Sequence, residues 1–362
     1  MILKLLEDRS DAAGRESLKE YRGRGTYLPV EKGETVEGSV MGRQIVKTVC
    51  ARMDHGGCGL RVHIENGKVV RIDGDPDSPI SHGYVCAKGK AHAEKLNHPE
   101  RLKFPLLRTG ERGVGNWKRI SWDEALTRLA EAVETAIARR GQKTVCFGQG
   151  TPKGIETYLM IRLANVLKIP NLLTPGSVCR MPRESASIMT CGFFPVPDYE
   201  HPPAGIIVWG SNLLATHEEG VLGVRLRSAL RKGAKLLVID PKKTQLAAKA
   251  DLWIRPKPGS DLALALGIAK VLVEKNLTDQ EFIAKWILGF GRLRDHLRDY
   301  RLEKISQITW VPVEHIIKAA HLCGLAKPAC IQWGNGLEHT PRSFQTARAL
   351  LSLMAICGNL GA

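Results

Sequence analysis

Apolar positions along this chain change texture at about residue 118, and the two textures predict different kinds of structure. Residues 1–45 are polar, rich in Gly, Glu, Arg and Lys, and read as an extension without chemistry. Within 46–102, the stretch LRVHIENGKVVRIDGD alternates apolar and polar positions like two short strands. They meet at Glu65-Asn66-Gly67, an Asn-Gly hairpin signal. Beyond 118, Ser121-Trp122-Asp123-Glu124 opens a helix with a capping box, and an apolar-periodic run carries it through Ile137. Strand-like runs then follow at 143–148, 205–210, 234–240, 251–256 and 329–334. Helical patterns fall at 155–168, 219–232, 261–275, 279–286, 313–325 and 342–356. That alternation predicts an α/β fold: a small β-rich module (46–102), then an open, mainly parallel sheet domain (103–362).

The 362 residues suffice for two or three domains, and 43 % hydrophobic with 25 % charged residues is ordinary globular composition. No apolar run reaches the roughly 18 residues that span a bilayer. The N-terminus shows no secretory h-region, and the one Arg-Arg pair, Arg139-Arg140, is internal, so a cytoplasmic location is expected. Nine cysteines, unevenly spread in such a chain, favour metal ligation or reactive thiols over disulfides. A net charge of +16 suits nucleic acid or an internal polyanion such as a phosphorylated cofactor. The basic residues are scattered, without runs, so charge alone does not choose.

The cysteines carry the first chemistry. Cys50-x3-Asp54-x3-Cys58 is followed 28 positions later by Cys86 in Cys86-Ala-Lys88-Gly89. An iron–sulfur cluster needs soft thiolates from a short loop and a distant ligand that closes the cage. Gly56, Gly57, Gly59 and Gly89 would let backbone amides point at sulfides. The fourth ligand stays open between Asp54, His55 and a three-ligand site. Three cysteines with Asp or His would also make a tetrahedral zinc site.

An ordered series of motifs then becomes recognisable. Cys58-Gly-Leu, Gly-Asp-Pro-Asp-Ser-Pro (74–79), Gly83-x-x-Cys86-x-Lys88-Gly89, Pro99-x-Arg101-Leu102 and Ile120-Ser-Trp-Asp-Glu-Ala-Leu126 come first. Trp209-Gly-Ser-Asn212, Ile239-Asp-Pro241-x-x-Thr244, Pro258-Gly-Ser-Asp261 and Gly358-Asn-Leu-Gly361 follow. Together, over 46–362, they resemble the N-terminal part of the dimethyl sulfoxide reductase family of molybdenum and tungsten bis-pterin guanine dinucleotide enzymes.

The resemblance implies a 4Fe–4S cluster on Cys50, Cys58 and Cys86, with Asp54 standing where the family usually has a fourth cysteine. Lys88 matches a lysine between cluster and pterin, where a cation would stabilise electron density in passage. Cys179, in Pro175-Gly-Ser-Val-Cys179-Arg-Met-Pro, matches the protein ligand to Mo or W. A thiolate suits that soft centre. Formate dehydrogenases of the family usually follow this ligand with histidine, whereas Arg180 stands here. The context looks more like the acetylene hydratase and thiosulfate or polysulfide reductase branches.

One pterin dinucleotide is expected at the carboxyl ends of the strands. Gly210, Ser211 and Asn212 would offer amides to phosphate. Asp240 and Pro241 end the next strand, Lys243 and Thr244 offer charge and hydroxyl, and Gly259 and Asp261 would read guanine. Gly334 and Gly336 would admit the pterin, or simply make a strand-end turn. Asp261 as a plain helix-start acid and Asp240 as a loop acid remain alternatives. Cys146, Cys191, Cys323, Cys330 and Cys357 read as core packing, and His217 and His339 as pocket candidates or structural histidines.

The implied function is two-electron redox at Mo or W, with electrons relayed through the cluster. Non-redox hydration, a zinc-stabilised nucleic-acid-binding protein and an inactive scaffold are the alternatives. The family's second pterin-binding domain is missing from this sequence, which suggests a truncated or split N-terminal portion. An electron-transfer subunit and the missing half are the expected partners, with no nucleic acid and no membrane span.

Overall fold

The computed structural model describes residues 42–50, 57–150, 156–174, 176, 179–216 and 220–361. Asp54, His55, Gly56 and His217 lie outside the described residues. The chain forms two compact units, the first drawn mainly from residues up to Leu173 without 51–57 and 149–151, and the second mainly from Thr174 onward.

The first unit opens with an antiparallel sheet in the order β1 (Arg43–Val49), β2 (Gly59–Glu65), β3 (Lys68–Gly74). Asn66 (φ 51) and Gly67 (φ 75) both take left-handed backbone, so the expected hairpin closes with a two-residue turn whose twist matches the strands. β1 begins at Arg43, inside the stretch read as an extension, because its backbone pairs along the whole of β2. Two short helices follow, α1 (Ala87–Lys90) and α2 (His92–Asn97), then the antiparallel pair β4 (Leu106–Arg108) and β5 (Trp117–Arg119).

The capping box forms as read from the sequence. In α3 (Trp122–Arg140) the Ser121 hydroxyl accepts from the Glu124 amide at 3.1 Å. Replacing Ser121 with alanine should destabilise this unit by about 1 kcal/mol, seen as a lower thermal midpoint. An unchanged midpoint would mean that the helix end is held by other contacts.

The run at 143–148 departs from expectation. It starts as a 3-10 turn (Gln142–Thr144) and yields only β6 (Cys146–Gly148). β6 pairs in parallel with β7 (Asn171–Leu173) after α4 (Glu156–Val166), apart from the large sheet. Two of its three residues are exposed, including Cys146, so it lacks the two apolar faces that a central strand needs.

The second unit holds the parallel sheet, in the order β10 (Leu252–Ile254), β9 (Lys235–Ile239), β8 (Gly205–Trp209), β11 (Ala329–Trp333). Every neighbouring pair is parallel. Odd positions such as Ile207, Trp209, Leu237 and Ile239 face one core; even ones such as Ile206, Val208, Leu236 and Val238 face the other. Period-2 alternation with both faces apolar is what a doubly covered sheet requires.

The helices of this unit are α5 (Met181–Cys191), α6 (Leu213–Thr216), α7 (Gly220–Arg231), α8 (Asp261–Glu274), α9 (Gln280–Trp286), α10 (Phe290–Arg298), α11 (Leu302–Thr309), α12 (Val313–Leu325), α13 (Asn335–Glu338) and α14 (Ser343–Ile356). α7 lends Leu226 and Ala229 to one core, while α8, α12 and α14 fill the other. No helix among the described residues is long and apolar enough to cross a membrane.

The strand order sets the place of the site. The chain steps from β8 to β9 to β10 in one direction, then returns to lay β11 on the other side of β8. The order of the strands therefore reverses between β8 and β11, and crevices for ligands open at the carboxyl ends of strands at such a reversal.

Candidate cofactor sites

In the first unit, Cys50 follows β1 and donates its amide to the Cys58 carbonyl at 2.8 Å, which places the two cysteines opposite each other where β1 and β2 begin to pair. Cys86 caps α1. The Gly-Asp-Pro-Asp-Ser-Pro motif folds the chain back against the start of β2 before Cys86 is reached. Asp75 folds the loop on itself, its carbonyl accepting from the Ser78 and Gly83 amides, and its own amide donates to the Gly59 carbonyl at 2.9 Å. A Cβ on Gly59 would stand 2.5 Å from Ser78 Cβ, so glycine is what lets the loop dock. Cys50, Cys58 and Cys86 are all buried, and none of the cysteines forms a disulfide. Among the described residues, no three His, Cys, Asp or Glu side chains meet as a preassembled metal site.

Two glycine assignments change. The Gly59 amide donates to Ser81 Oγ at 3.1 Å, which occupies it, and Gly89 is bare because a Cβ would meet Val85 at 2.5 Å. Lys88 is half-buried on α1, with its contacts already engaged.

In the second unit, Cys179 is half-buried in the turn before α5, its amide 3.4 Å from the Gly176 carbonyl. Pro182 in the first turn of α5 suits a helix start. At the sheet reversal, Gly210 (φ 55) follows β8 and Gly334 follows β11. The Gly334 amide donates to the Trp209 carbonyl at 3.2 Å. A Cβ on Gly334 or Gly336 would stand 2.8 or 2.9 Å from the Gly210 carbonyl oxygen. These glycines thus admit the neighbouring loop, a requirement that exists whatever ligand binds. Ser211 and Asn212 lead into α6, where the Asn212 carbonyl accepts from Ala215 and Thr216.

Further along the strand ends stand two acids. Asp240 accepts from the Lys242 amide at 2.8 Å, and half-burial pushes its carboxyl above the usual range. Asp261, buried at the first position of α8, accepts from Trp209 Nε1 at 2.8 Å. Its pKa is raised by desolvation first, and the nearby Asp240 charge adds to the shift. Thr244 is less available than its sequence suggests: it is buried and its hydroxyl accepts from the Ala247 amide at 3.1 Å. Lys243 lies 5.8 Å over the Trp253 ring. Pro241, Trp253, Arg255, Trp310 and His315 line a cavity of about 410 Å³ beside these residues. Gly259 (φ 81) turns the chain into α8.

One group had no sequence signal. Arg183 on α5 binds Glu338 on α13 at 2.5 Å and donates to the Trp333 carbonyl at 3.1 Å. The indole Nε1 of Trp333 and Oε2 of Glu338 are buried without hydrogen-bond partners among the described residues. Of the remaining cysteines, Cys323 and Cys357 are buried and Cys191 and Cys330 half-buried, but Cys146 is exposed, contrary to expectation. Burial pushes the Cys330 and Cys357 thiols up to about 12. His339 is exposed.

Known families complete the picture. Residues 101–362 match the molybdopterin oxidoreductase family, and residues 43–98 match the molybdopterin oxidoreductase Fe4S4 domain. The chain belongs to the molybdopterin oxidoreductase family. A probable oxidoreductase, YoaE, from Bacillus subtilis (strain 168) is 32 % identical over 87 % of this chain and 46 % of its own length. Acetylene hydratase from Syntrophotalea acetylenica is 31 % identical over 86 % of this chain and 43 % of its own. The solved structure of acetylene hydratase from Pelobacter acetylenicus superposes with a TM-score of 0.74 at 28 % identity, covering 87 % of this chain and 44 % of that one. The chain thus spans less than half the length of these relatives.

Membership in the molybdopterin oxidoreductases brings a 4Fe–4S cluster and molybdopterin as cofactors, and the Fe4S4 match displaces the zinc reading. The residues fit both groups. Three buried thiols within one small module are a soft donor set for iron. Buried polar atoms left unpaired beside Gly334 and Gly336, and two neighbouring carboxyls at the strand ends, suit a ligand rich in N–H and O–H groups.

Asp261 gives a pH test. Its folded pKa lies above the unfolded value, so the folded chain binds more protons between the two. Stability from this group therefore falls as pH rises from the ordinary carboxylate range through the raised folded value. Asp261→Asn keeps an acceptor for Trp209 and should lack that fall, so the difference between variant and parent denaturant midpoints should vary with pH across this range. A difference that does not vary with pH would refute the raised value.

Proposed function

We propose that this chain is the cluster- and pterin-binding portion of an oxidoreductase that performs two-electron chemistry at molybdenum or tungsten. In this reading 46–102 is the cluster domain and 103–362 carries one guanine dinucleotide of a bis-pterin cofactor. The observation that carries it is the sheet reversal: Gly210 and Gly334 flank it, with Asp240 and Asp261 at the adjoining strand ends.

Cys50, Cys58 and Cys86 would ligate the cluster, with Asp54 as the fourth-ligand candidate. Lys88 would hold a positive charge on the path out of the cluster. Cys179 would bind the metal through its thiolate. Asp240 and Asp261 would accept from ribose hydroxyls and the guanine edge, and Lys243 would neutralise phosphate. When bound, the metal–pterin group supplies oxygen-atom, sulfur or hydride transfer to a small molecule. The chain's own task is to orient that group and exclude water from it. An electron-transfer subunit and a second pterin-binding portion are the partners this chemistry calls for, and a cytoplasmic setting is compatible with the absence of a spanning helix among the described residues.

A second reading, hydration without net redox, rests on the likeness to acetylene hydratase. Metal, sulfide and pterin analysis of the full-length protein purified without oxygen tests the main reading, together with EPR of the reduced form. Iron with acid-labile sulfide and pterin dinucleotide is expected; one zinc and no pterin would overturn it. Turnover that requires an electron donor or acceptor separates redox from hydration.

A further inference from the structure

Arg183 stands one helical turn beyond Cys179, and its surroundings are built with unusual care for a residue outside any motif. Nε donates to Glu338 Oε1 at 2.5 Å, and a terminal nitrogen reaches both that oxygen and, at 3.1 Å, the Trp333 carbonyl. The guanidinium also lies 5.4 Å from the Trp333 ring centroid. The side chains are 12 % and 1 % exposed, so the pair is desolvated. Burying two charges costs more than packing apolar residues of the same volume. α5 already packs along α14, so the helix does not need the pair for its place in the core. What the pair adds is a fixed relation between two ends: the start of α5, which carries Cys179, and the turn Trp333–Glu338 that leaves β11.

We infer that Arg183 is a positioning residue that sets the Cys179 thiolate relative to the pterin-binding turn at Gly334–Gly336. The inference rests on the proposed ligand role of Cys179 and on the pterin lying at the sheet reversal. A guanidinium suits the task because its planar fork holds a carboxylate and a carbonyl together, whereas an ammonium is a point charge. Arg180, the residue after Cys179, adds to the arrangement: it binds Glu184 at 2.6 Å, lies 5.1 Å over the Phe194 ring and contributes its charge to Glu338. The arginine that caps α5 and the arginine of its first turn are thus both committed to holding it.

The test uses the full-length holoprotein and reads the metal's EPR signal and its metal–sulfur coordination by X-ray absorption, with metal and pterin content and thermal midpoint as controls. The double variant R183M/E338L replaces the pair with apolar residues and avoids an unpaired buried charge. It should keep the cofactor and the fold, yet split the single metal signal into several overlapping species. R183K keeps the charge and loses the fork, so it should show the same splitting. A purely structural role predicts a lowered midpoint with the parent signal intact, and that result in either variant overturns the inference. C179S should remove one sulfur from the metal's shell. If C179S leaves the shell unchanged, the ligand assignment fails first, and Arg183 has nothing to position.

Discussion

Replacing Cys58 with alanine should strip the N-terminal module of its iron and acid-labile sulfide while leaving the parallel sheet of the second unit folded. The thiol is buried next to the point where β1 and β2 join. A cluster that loses one thiolate of a three-cysteine set has no soft donor to replace it. The measurement is iron and sulfide per chain, with loss of the reduced-cluster EPR signal. Cys146→Ser is the control: this thiol is exposed and should leave the iron content unchanged. Iron retained at the parent level in the Cys58 variant would remove Cys58 from the ligand set.

The second large effect is expected at Gly210. Its φ of 55 lies in left-handed backbone, and an added Cβ would stand 2.2 Å from Leu337 Cδ1 in a buried position. Gly210→Val meets both penalties, since a β-branched residue in that conformation is strained and the buried neighbour must be displaced. Together they amount to about 3 kcal/mol or more. Chemical denaturation should show the second unit opening at markedly lower denaturant. Gly148→Ala, with open space around it, should change stability by less than about 0.5 kcal/mol. A Gly210 variant as stable as the parent would mean that the junction of the two loops is looser than it stands here.

Much of this architecture was legible before folding was considered. The strands GIIVW and KLLVI announce themselves as short apolar runs, and Asn66-Gly67 and the Ser121 cap follow from local backbone chemistry. The misses share a cause. α5, α10 and α11 are half polar, and each starts at a residue that gives no capping signal: Arg180, Gly289 and Arg301. β7 is three residues long, too short for any period to show. At the site, Asp261 was visible as an acid at a helix start, but not its bond to Trp209, 52 positions away. The Arg183–Glu338 pair spans 155 positions, and nothing local marks either partner. Thr244 looked free for a phosphate because its bond to Ala247 belongs to a turn, not to a recognisable helix. Local propensity writes turns and element types into sequence; pairings made by topology leave no local trace.

The touching loops after β8 and β11 have a consequence for how this scaffold diversifies. Where Gly210, Gly334 and Gly336 meet, main chain approaches main chain, and amides and carbonyls are the same in every sequence. Under the proposed reading, such a floor would fix how near a ligand comes but not which ligand it is. Choice is left to the rim on the β9–β10 side, where Asp240, Lys243, Trp253 and Asp261 stand. A descendant chain can therefore acquire a different preference through a few rim positions while its floor stays untouched.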